Sequence, residues 1–535
     1  MTRRRLNGVS VVLVLLFGIV LCRTLWIATD SGYAVSAGAQ TVSVTELPRT
    51  RGDFFDRDGR RLTGLSKTWY ALCLPGDASY AELFPYVPYE QQSFLYENRN
   101  NTQPFLVEVS RDLTANGIFT YASSKRYLEL PIAEPLIGYL DGDGPGVSGL
   151  ELAYEDILSH ATDADVVSCA TTARGSLLDG TLPDMQTRES GNGLGVQLTL
   201  DAEIQRACEG IAQQTMKSGC ILVADVTSGE VLASVSMPAF DPDNIQKSIE
   251  AGDTSLINRA FSSFSAGSVF KVVLAAAAYE AGFDWFTHEC TGSIDVADQT
   301  YRCALGRAHG TVNLRGALEQ SCNCYFVALG QALGAERVAE MAQRFGFGQA
   351  TAVAGGLKTS AGNLPDGKQL QNEGQLAMFS FGQGSLTVTP VQITAMMRVI
   401  AGDGSYLPLS FVKGTVDSET LEIQQEASQT EPRQVIPAAT ARVLRSMLQS
   451  VVTDGIGSQA EPDWQTAGGK TGTAQTGQFN ADGEELLNYW FSGFVPAEQP
   501  QYVITVLQDA TLDPETSSAA VFARVANALH AIDGE

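Results

Sequence analysis

Three short motifs hold the residues of this chain best suited to chemistry: Ser268-Val269-Phe270-Lys271, Ser321-Cys322-Asn323 and Lys470-Thr471-Gly472-Thr473. Together they supply a serine nucleophile, an amine to accept its proton, a polar relay and a cationic strand edge. That is the equipment for acyl transfer through a serine ester. Chance matches exist in the same chain, a second Ser-x-x-Lys at Ser410 to Lys413 and a second Ser-x-Asn at Ser190 to Asn192. Context separates them. Ser268 follows Ser265-Ala266-Gly267, and Lys271 leads into Val272-Val273-Leu274-Ala275-Ala276-Ala277-Ala278. The alanines favour helix, on which positions three apart share a face, and Gly267 lets backbone pass close to the helix entrance. Leu407 to Gly414 reads instead as a strand, which would point Ser410 and Lys413 to opposite faces. Ser190-Gly191-Asn192 sits in a glycine-rich joint and reads as linker.

The elements that must position these motifs are spread over 535 residues, too many for one ordinary core, so two or more domains are expected. A net charge of −25 argues against nucleic acid as a partner, because a phosphate-binding face needs clustered Lys and Arg. The N-terminus is the exception. Arg3, Arg4 and Arg5 precede an apolar stretch from Val9 to Cys22 that resumes as Leu25-Trp26-Ile27-Ala28. Val9 to Ala28 matches the roughly 20 residues that cross a bilayer. The arginines predict a cytoplasmic N-terminus with everything after the span outside, and Arg23 lies where it can snorkel to the outer interface. The rival is a cleaved signal peptide. Ala37-Gly38-Ala39 has the small-residue pattern but lies far beyond the apolar core, and Cys22 follows the bulky Leu21, unlike a lipidated cysteine. An uncleaved anchor is the expectation.

Nine cysteines, Cys22, Cys73, Cys169, Cys208, Cys220, Cys290, Cys303, Cys322 and Cys324, form no disulfide framework by count or spacing, and no Cys-x-x-Cys pair occurs. A Cys290–Cys303 bridge and two unpaired apolar side chains both remain open, and Cys322 and Cys324 are expected to pack. His160, His288, His309 and His530 are scattered, so neither a metal site nor a Ser-His triad is expected.

Along the chain, Arg51-Gly52-Asp53-Phe54-Phe55-Asp56-Arg57-Asp58-Gly59 carries a hairpin turn signal at Asp58-Gly59. Residues 98–149 read as an irregular α+β module, and Gly149 to Leu158 as one amphipathic helix. Gly191 to Gly195 is the best domain boundary. Leu198-Thr199-Leu200-Asp201 then enters a helix carrying Ile204 and Gln205. Cys220 to Val226 and Glu230 to Ser236 form a hairpin through Thr227-Ser228-Gly229. Helices dominate from Ser268 to about Phe345. Strands return at Lys470 to Gln475, Tyr489 to Val495 and Tyr502 to Gln508, before a last helix near Ser518 to Ile532. Strands at both ends of a helical middle imply an antiparallel sheet completed by distant segments.

The chain resembles the class B penicillin-binding proteins over nearly its whole length. Beyond the three motifs, Arg51-Gly52 with Asp56-Arg57-Asp58-Gly59 is similar to that family's N-terminal signature. So are Gly149-Leu150-Glu151, Leu198-Thr199-Leu200-Asp201, Asn258-Arg259-Ala260 and Trp490-Phe491-Ser492-Gly493-Phe494. Gly382-Gln383-Gly384 followed by Thr389-Pro390-Val391-Gln392 resembles its loop near the active site. The resemblance implies an α+β penicillin-binding/transpeptidase fold, an antiparallel sheet flanked by helices plus an all-helical subdomain. An N-terminal α+β pedestal and one transmembrane helix precede it. The implied layout is a cytoplasmic tail over 1–8, an anchor over 9–28, a pedestal over 29–190 and a transpeptidase domain over 196–535. Neither a glycosyltransferase domain nor a module after the catalytic domain is expected.

The implied substrate is a peptidoglycan stem peptide ending in D-alanyl-D-alanine. β-Lactams would bind covalently, and a membrane glycan polymerase is the implied partner. Ser268 would attack the penultimate carbonyl. Lys271 would take its proton, with an amine pulled below the usual value of about 10.4 by burial and by Lys470. Ser321 would relay a proton to the leaving amine, and Asn323 would bind the substrate backbone. Lys470, Thr471 and Thr473 would receive the terminal carboxylate, and the N–H groups of Ser268 and Thr473 would form the oxyanion hole. No metal or other cofactor is implied, and Arg57-Asp58 reads as structural. A D,D-carboxypeptidase is the first alternative. A β-lactam-sensing receptor would need cytoplasmic signalling sequence, and Met1 to Gly8 alone precede the anchor. The intact motifs argue against an inactive scaffold. A β-lactamase would need a carboxylate placed to activate a deacylating water, and none is evident.

Overall fold

The computed structural model describes residues 3–29, 42–48, 51–74, 77–101, 103–116, 118–128, 130–142, 144–171, 177–178, 181–189, 191–428 and 430–534. The Ala37-Gly38-Ala39 run and Ser190 lie outside them. Arg3–Thr29 is one helix, and its segment Asn7–Trp26 has a mean hydropathy of 2.4. By length and composition it can cross a bilayer.

The chain divides into two compact units, residues 1–51, 64–126 and 160–192 in one and 52–63, 127–159 and 193–535 in the other. The segment 29–190 therefore contributes to both. In the first unit, Ser66–Cys73 pairs between Phe105–Val109 and Thr120–Lys125, and Ala164–Ala170 pairs between Val42–Glu46 and Asp184–Arg188. Leu83, Leu95, Val107, Val109 and Leu113 form a core beside the first of these sheets.

The second unit is built on alternation. Five antiparallel strands lie in the spatial order Val231–Met237, Gly219–Asp225, Tyr502–Thr511, Glu485–Val495, Gly468–Phe479. Distant segments thus complete one sheet, with Val506 opposite both Ile221 and Phe491. Ile221, Val223, Phe491, Val495, Ile504 and Val506 pack with Ile204, Cys208 and Ala212 of helix Ala202–Thr215 and Phe522, Val525 and Leu529 of helix Ser518–Asp533. The alternate residues Cys220, Leu222, Ala224, Trp490 and Phe494 pack on the opposite face with helices Lys271–Glu280, Pro390–Ala401 and Ala438–Thr453. Both faces are covered, which is why these strands read as nearly continuous apolar runs. Gly468–Phe479 is left as an edge.

Caps fix the helix starts. Asp201 accepts hydrogen bonds from the N–H groups of Glu203 and Ile204, and Thr389 with Gln392 forms a reciprocal capping box. Asp58-Gly59 makes the expected turn, with the Asp56 carboxylate accepting from the N–H groups of Asp58 and Arg60. The strand before it, Phe54–Phe55, runs parallel to Leu194–Leu198.

Two local expectations change. Gly149 to Leu158 is two short helices, Gly149–Ala153 and Glu155–Leu158, because Tyr154 leaves helical geometry at φ −113° and ψ 20°. The helical stretch after Ser268 contains four short strands, Thr287–Cys290 paired with Gly310–Asn313 and Ser293–Val296 paired with Gln299–Arg302. The inner pair turns through Ala297 and Asp298, both at positive φ (48° and 60°), a geometry usually announced by Asn-Gly or Asp-Gly.

Arg259 clamps the segment before Ser268 to the sheet. Its Nε lies 3.1 Å from both carboxylate oxygens of Asp509, and its remaining nitrogens donate to the carbonyl and hydroxyl of Thr254. Both ion-pair partners are buried. Arg259→Met is expected to cost about 3–5 kcal/mol, because it leaves a buried carboxylate uncompensated. Arg259→Met/Asp509→Leu should recover most of that loss. Urea unfolding of the second unit's signal measures both, and a single-variant loss under about 1 kcal/mol would refute the clamp.

Candidate active site

Ser268 sits in a 3-10 turn, Gly267–Phe270, that continues into helix Lys271–Glu280. In a 3-10 turn, side chains three apart eclipse, so Ser268 and Lys271 face the same way. Backbone packing fixes this turn. Gly267 has φ +59°, and its N–H donates to the Gly382 carbonyl at 2.8 Å. A Cβ on Gly267 would lie 2.5 Å from the Thr473 carbonyl oxygen, and one on Gly382 would overlap the Gly267 carbonyl. Only glycine allows three backbones to approach this closely. The Trp490 indole N–H donates to the Ser265 carbonyl at 3.0 Å, and Phe264–Ser265 pairs with Thr387–Val388. The Ser268 turn, the edge strand and the Gly382 loop are thereby held as one stack.

Lys271 opens a helix whose residues 271–278 are all buried, so its amine has no water and needs protein acceptors. Its Nζ donates to the Ser321 carbonyl (2.8 Å), Ser321 Oγ (3.1 Å) and Asn323 Oδ1 (2.7 Å). Lys470 is equally buried, and its Nζ donates to Ser321 Oγ (3.0 Å), the Thr471 carbonyl (3.1 Å) and Thr471 Oγ1 (3.2 Å). One hydroxyl therefore joins two lysine amines. Burial draws Lys271 down to about 7. Burial and then the charge of Lys271 draw Lys470 well below the lysine range. The expected lowering of Lys271 by the charge of Lys470 is absent: burial alone lowers Lys271, and the coupling acts from Lys271 on Lys470. Two protonated amines on one oxygen would repel, and Ser321 Oγ can accept from one amine while donating to the other.

Ser321 adopts φ +50°, a conformation rarely taken by a residue with a side chain. The strain turns its carbonyl and hydroxyl to the same amine. Cys322 follows as the N-cap of helix Asn323–Leu333, its sulfur accepting from the Tyr325 N–H at 3.4 Å. Asn323 also donates from Nδ2 to the Arg302 carbonyl at 2.8 Å, so both ends of its amide have protein partners. Thr471 is half-buried, and Thr473 is exposed on the edge strand.

Lys271, Ser321, Asn323, Lys470 and Thr471 form one hydrogen-bonded group, with the backbones at Ser268 and Thr473 packed beside each other through Gly267. The second Ser-x-x-Lys is not part of it. Ser410 Oγ bonds to the Val412 carbonyl, while Lys413 Nζ bonds to the Arg57 carbonyl and faces Glu230. The direction of Lys470, inward to the hydroxyl, was not readable from the sequence. Strand alternation tells which residues share a face but not which face is the site. Trp490 as a tether to Ser265 was also missed, since only tertiary pairing brings residues that far apart in sequence together.

The family model for the penicillin binding protein transpeptidase domain matches residues 219–529. Penicillin-binding protein PbpB of Mycolicibacterium smegmatis is 34% identical over 426 residues, covering 74% of this chain and 63% of that protein. Stage V sporulation protein D of Bacillus subtilis is 30% identical, covering 74% of this chain and 62% of that protein. The chain thus spans less than two thirds of the length of both relatives. Among solved structures, penicillin binding protein 3 of Mycobacterium tuberculosis, complexed with aztreonam, superposes with a TM-score of 0.66 at 27% identity, covering 92% of this chain and 97% of that one.

A buried amine with a lowered pKa leaves a signature in stability. Between pH 7 and about 10.4 the unfolded chain keeps the Lys271 proton that the folded chain has lost, so stability rises with pH across that window. One such proton is worth about 1.4 kcal/mol per pH unit. Lys271→Met should flatten the slope of unfolding free energy against pH by about that amount, and an unchanged slope would contradict the depressed amine.

Proposed function

The chain belongs to the class B penicillin-binding proteins, and from that membership we propose that it is a serine D,D-transpeptidase that cross-links peptidoglycan. The observation carrying this reading is the pair of buried lysine amines on Ser321 Oγ, one of them a single turn from Ser268. With Lys271 at about 7, a useful fraction is free base at neutral pH. That amine takes the Ser268 proton as Oγ attacks the penultimate carbonyl of a stem peptide ending in D-alanyl-D-alanine. The N–H groups of Ser268 and Thr473 face the developing oxyanion, a contribution of about 3 kcal/mol in related acyl transfers. The proton passes through Ser321 to the departing D-alanine, leaving an ester on Ser268. An amine from a neighbouring stem peptide then attacks the ester and gives a proton to the pair of lysines, which hands it to Ser268 Oγ as the ester C–O bond breaks, restoring the serine hydroxyl.

Asn323 and the open backbone of Gly468–Phe479 would hold the peptide as an added strand. Thr471 and Thr473 would take the terminal carboxylate by their hydroxyls, with Lys470 acting through its field from beneath, since its Nζ donates to Ser321 and Thr471. β-Lactams would acylate the same hydroxyl. That a related protein is solved with aztreonam supports this reading. The arginines before the N-terminal helix favour an extracytoplasmic catalytic unit, with 1–8 inside, 9–28 spanning, 29–190 as pedestal and 196–535 catalytic. A membrane glycan polymerase would meet the anchor and pedestal.

Fluorescent penicillin is expected to label the full-length protein, and Ser268→Ala to abolish labelling. Label persisting on that variant would refute the nucleophile. The rate of acylation should rise with pH around a midpoint near 7, because the free-base form of Lys271 is the active one. Lys271→Ala should reduce that rate by about 10²-fold or more. A pentapeptide offered with and without an amine acceptor separates transpeptidation from carboxypeptidation by the dominant product.

A further inference from the structure

Four potential metal ligands that are distant in sequence converge behind Ser321. Cys290 ends strand Thr287–Cys290, Cys303 follows strand Gln299–Arg302, His309 precedes strand Gly310–Asn313, and Cys322 caps helix Asn323–Leu333. Their ligand atoms all lie within 4.8 Å of one another. Cys303 Sγ is 3.6 Å from Cys290 Sγ and 3.8 Å from Cys322 Sγ, and His309 Nδ1 is 3.4 Å from Cys290 Sγ. In a tetrahedral zinc site with bonds of about 2.3 Å to sulfur and about 2.0 Å to nitrogen, ligand atoms are separated by about 3.8 Å (S to S) and about 3.5 Å (S to N). These three separations fit those edges, and the other three pairs lie within 4.8 Å. The three cysteines are buried and the histidine half-buried, as in closed structural sites.

We propose that Cys290, Cys303, His309 and Cys322 bind one structural zinc ion. Three thiolates and a neutral imidazole select a soft, tetrahedral divalent metal over magnesium or calcium. Binding releases three thiol protons to solvent and involves no redox change. The Tyr325 N–H already points at Cys322 Sγ, and the backbone of His309 donates to the Cys290 carbonyl at 3.1 Å, supports of the kind that orient metal ligands. Cys324, 3.5 Å from Cys303, lies outside the mutually close set. A single disulfide would use two of the sulfurs and leave the third thiol and the imidazole without that role.

The ion would act on the catalytic motif by position. Cys322 is adjacent to Ser321, whose φ of +50° needs surroundings that hold it, and Arg302, adjacent to Cys303, accepts from Asn323. A metal joining Cys303 to Cys322 fixes both neighbours. The loop between Cys303 and His309, with Leu305 at φ +53° and fully exposed, is otherwise tied by short turns alone.

The test is elemental analysis of the full-length protein purified in detergent without chelator. About one zinc per chain is expected. Cys303→Ser and Cys290→Ser should lower it by about fivefold or more, while Cys73→Ser and Cys208→Ser leave it unchanged. Exchange for Co²⁺ should give thiolate charge-transfer and tetrahedral ligand-field bands in the wild type, which keeps the test independent of whether a variant folds. Zinc removal should speed hydrogen exchange at residues 318–324, a readout that does not depend on Ser268 being the nucleophile. Zinc below about a tenth of an equivalent, absence of the Co²⁺ bands, or an intact mass showing these cysteines oxidised to disulfides in fresh protein would overturn the proposal.

Discussion

Two buried lysine amines share one hydroxyl, and much of the second unit serves that arrangement. Lys271 and Lys470 arrive from a buried helix and a sheet edge, and neither has access to water. An isolated ammonium in such a place would be prohibitively costly, so each must either lose its proton or find acceptors. Ser321 and Asn323 supply acceptors for one, and Ser321 and Thr471 for the other. The same burial that makes the site expensive to fold lowers the lysine basicity into the range where a proton can move at neutral pH.

That arrangement needs a helix, a strand and a loop to meet more closely than side chains normally allow. Gly267 and Gly382 remove the Cβ atoms that would collide, and the Trp490 tether holds the segment before Ser268 to the sheet. The strain is stored in Ser321, on a left-handed backbone that points its carbonyl and hydroxyl at one amine. Rigid elements surround it: the helix Lys271–Glu280, buried over 271–278, the five-stranded sheet and the cysteine-lined hairpins. A flexible site could not hold two amines near 3 Å from one oxygen.

Legibility followed the range of the interactions. The turn and helix carrying Ser268 and Lys271, the helix entered after Asp201, the hairpin at Thr227-Ser228-Gly229 and the closing strands and helix are local patterns, and they stand where the residues predict, with longer strands at the end. Tyr154 breaking a helix and Ala297-Asp298 turning a hairpin have no strong local signal, since neither residue type normally requires those dihedrals. The cysteines read as unrelated small apolar residues because 32 positions separate Cys290 from Cys322, and spacing says nothing about the two pairs of strands that gather them.

The sequence by itself determined that Ser268 and Lys271 stand on one face a turn apart, because that spacing is set by local geometry alone. It also determined the apolar N-terminal helix and the family. Tertiary structure decided where the amines point, which protein atoms each one bonds, and that Asn323 engages Lys271 and Arg302 rather than standing free. Those outcomes depend on burial and on contacts across 21 to 149 residues, the widest being Lys470 against Ser321. Desolvation has no signature in residue order. It exists only once the surrounding side chains have closed over the charge.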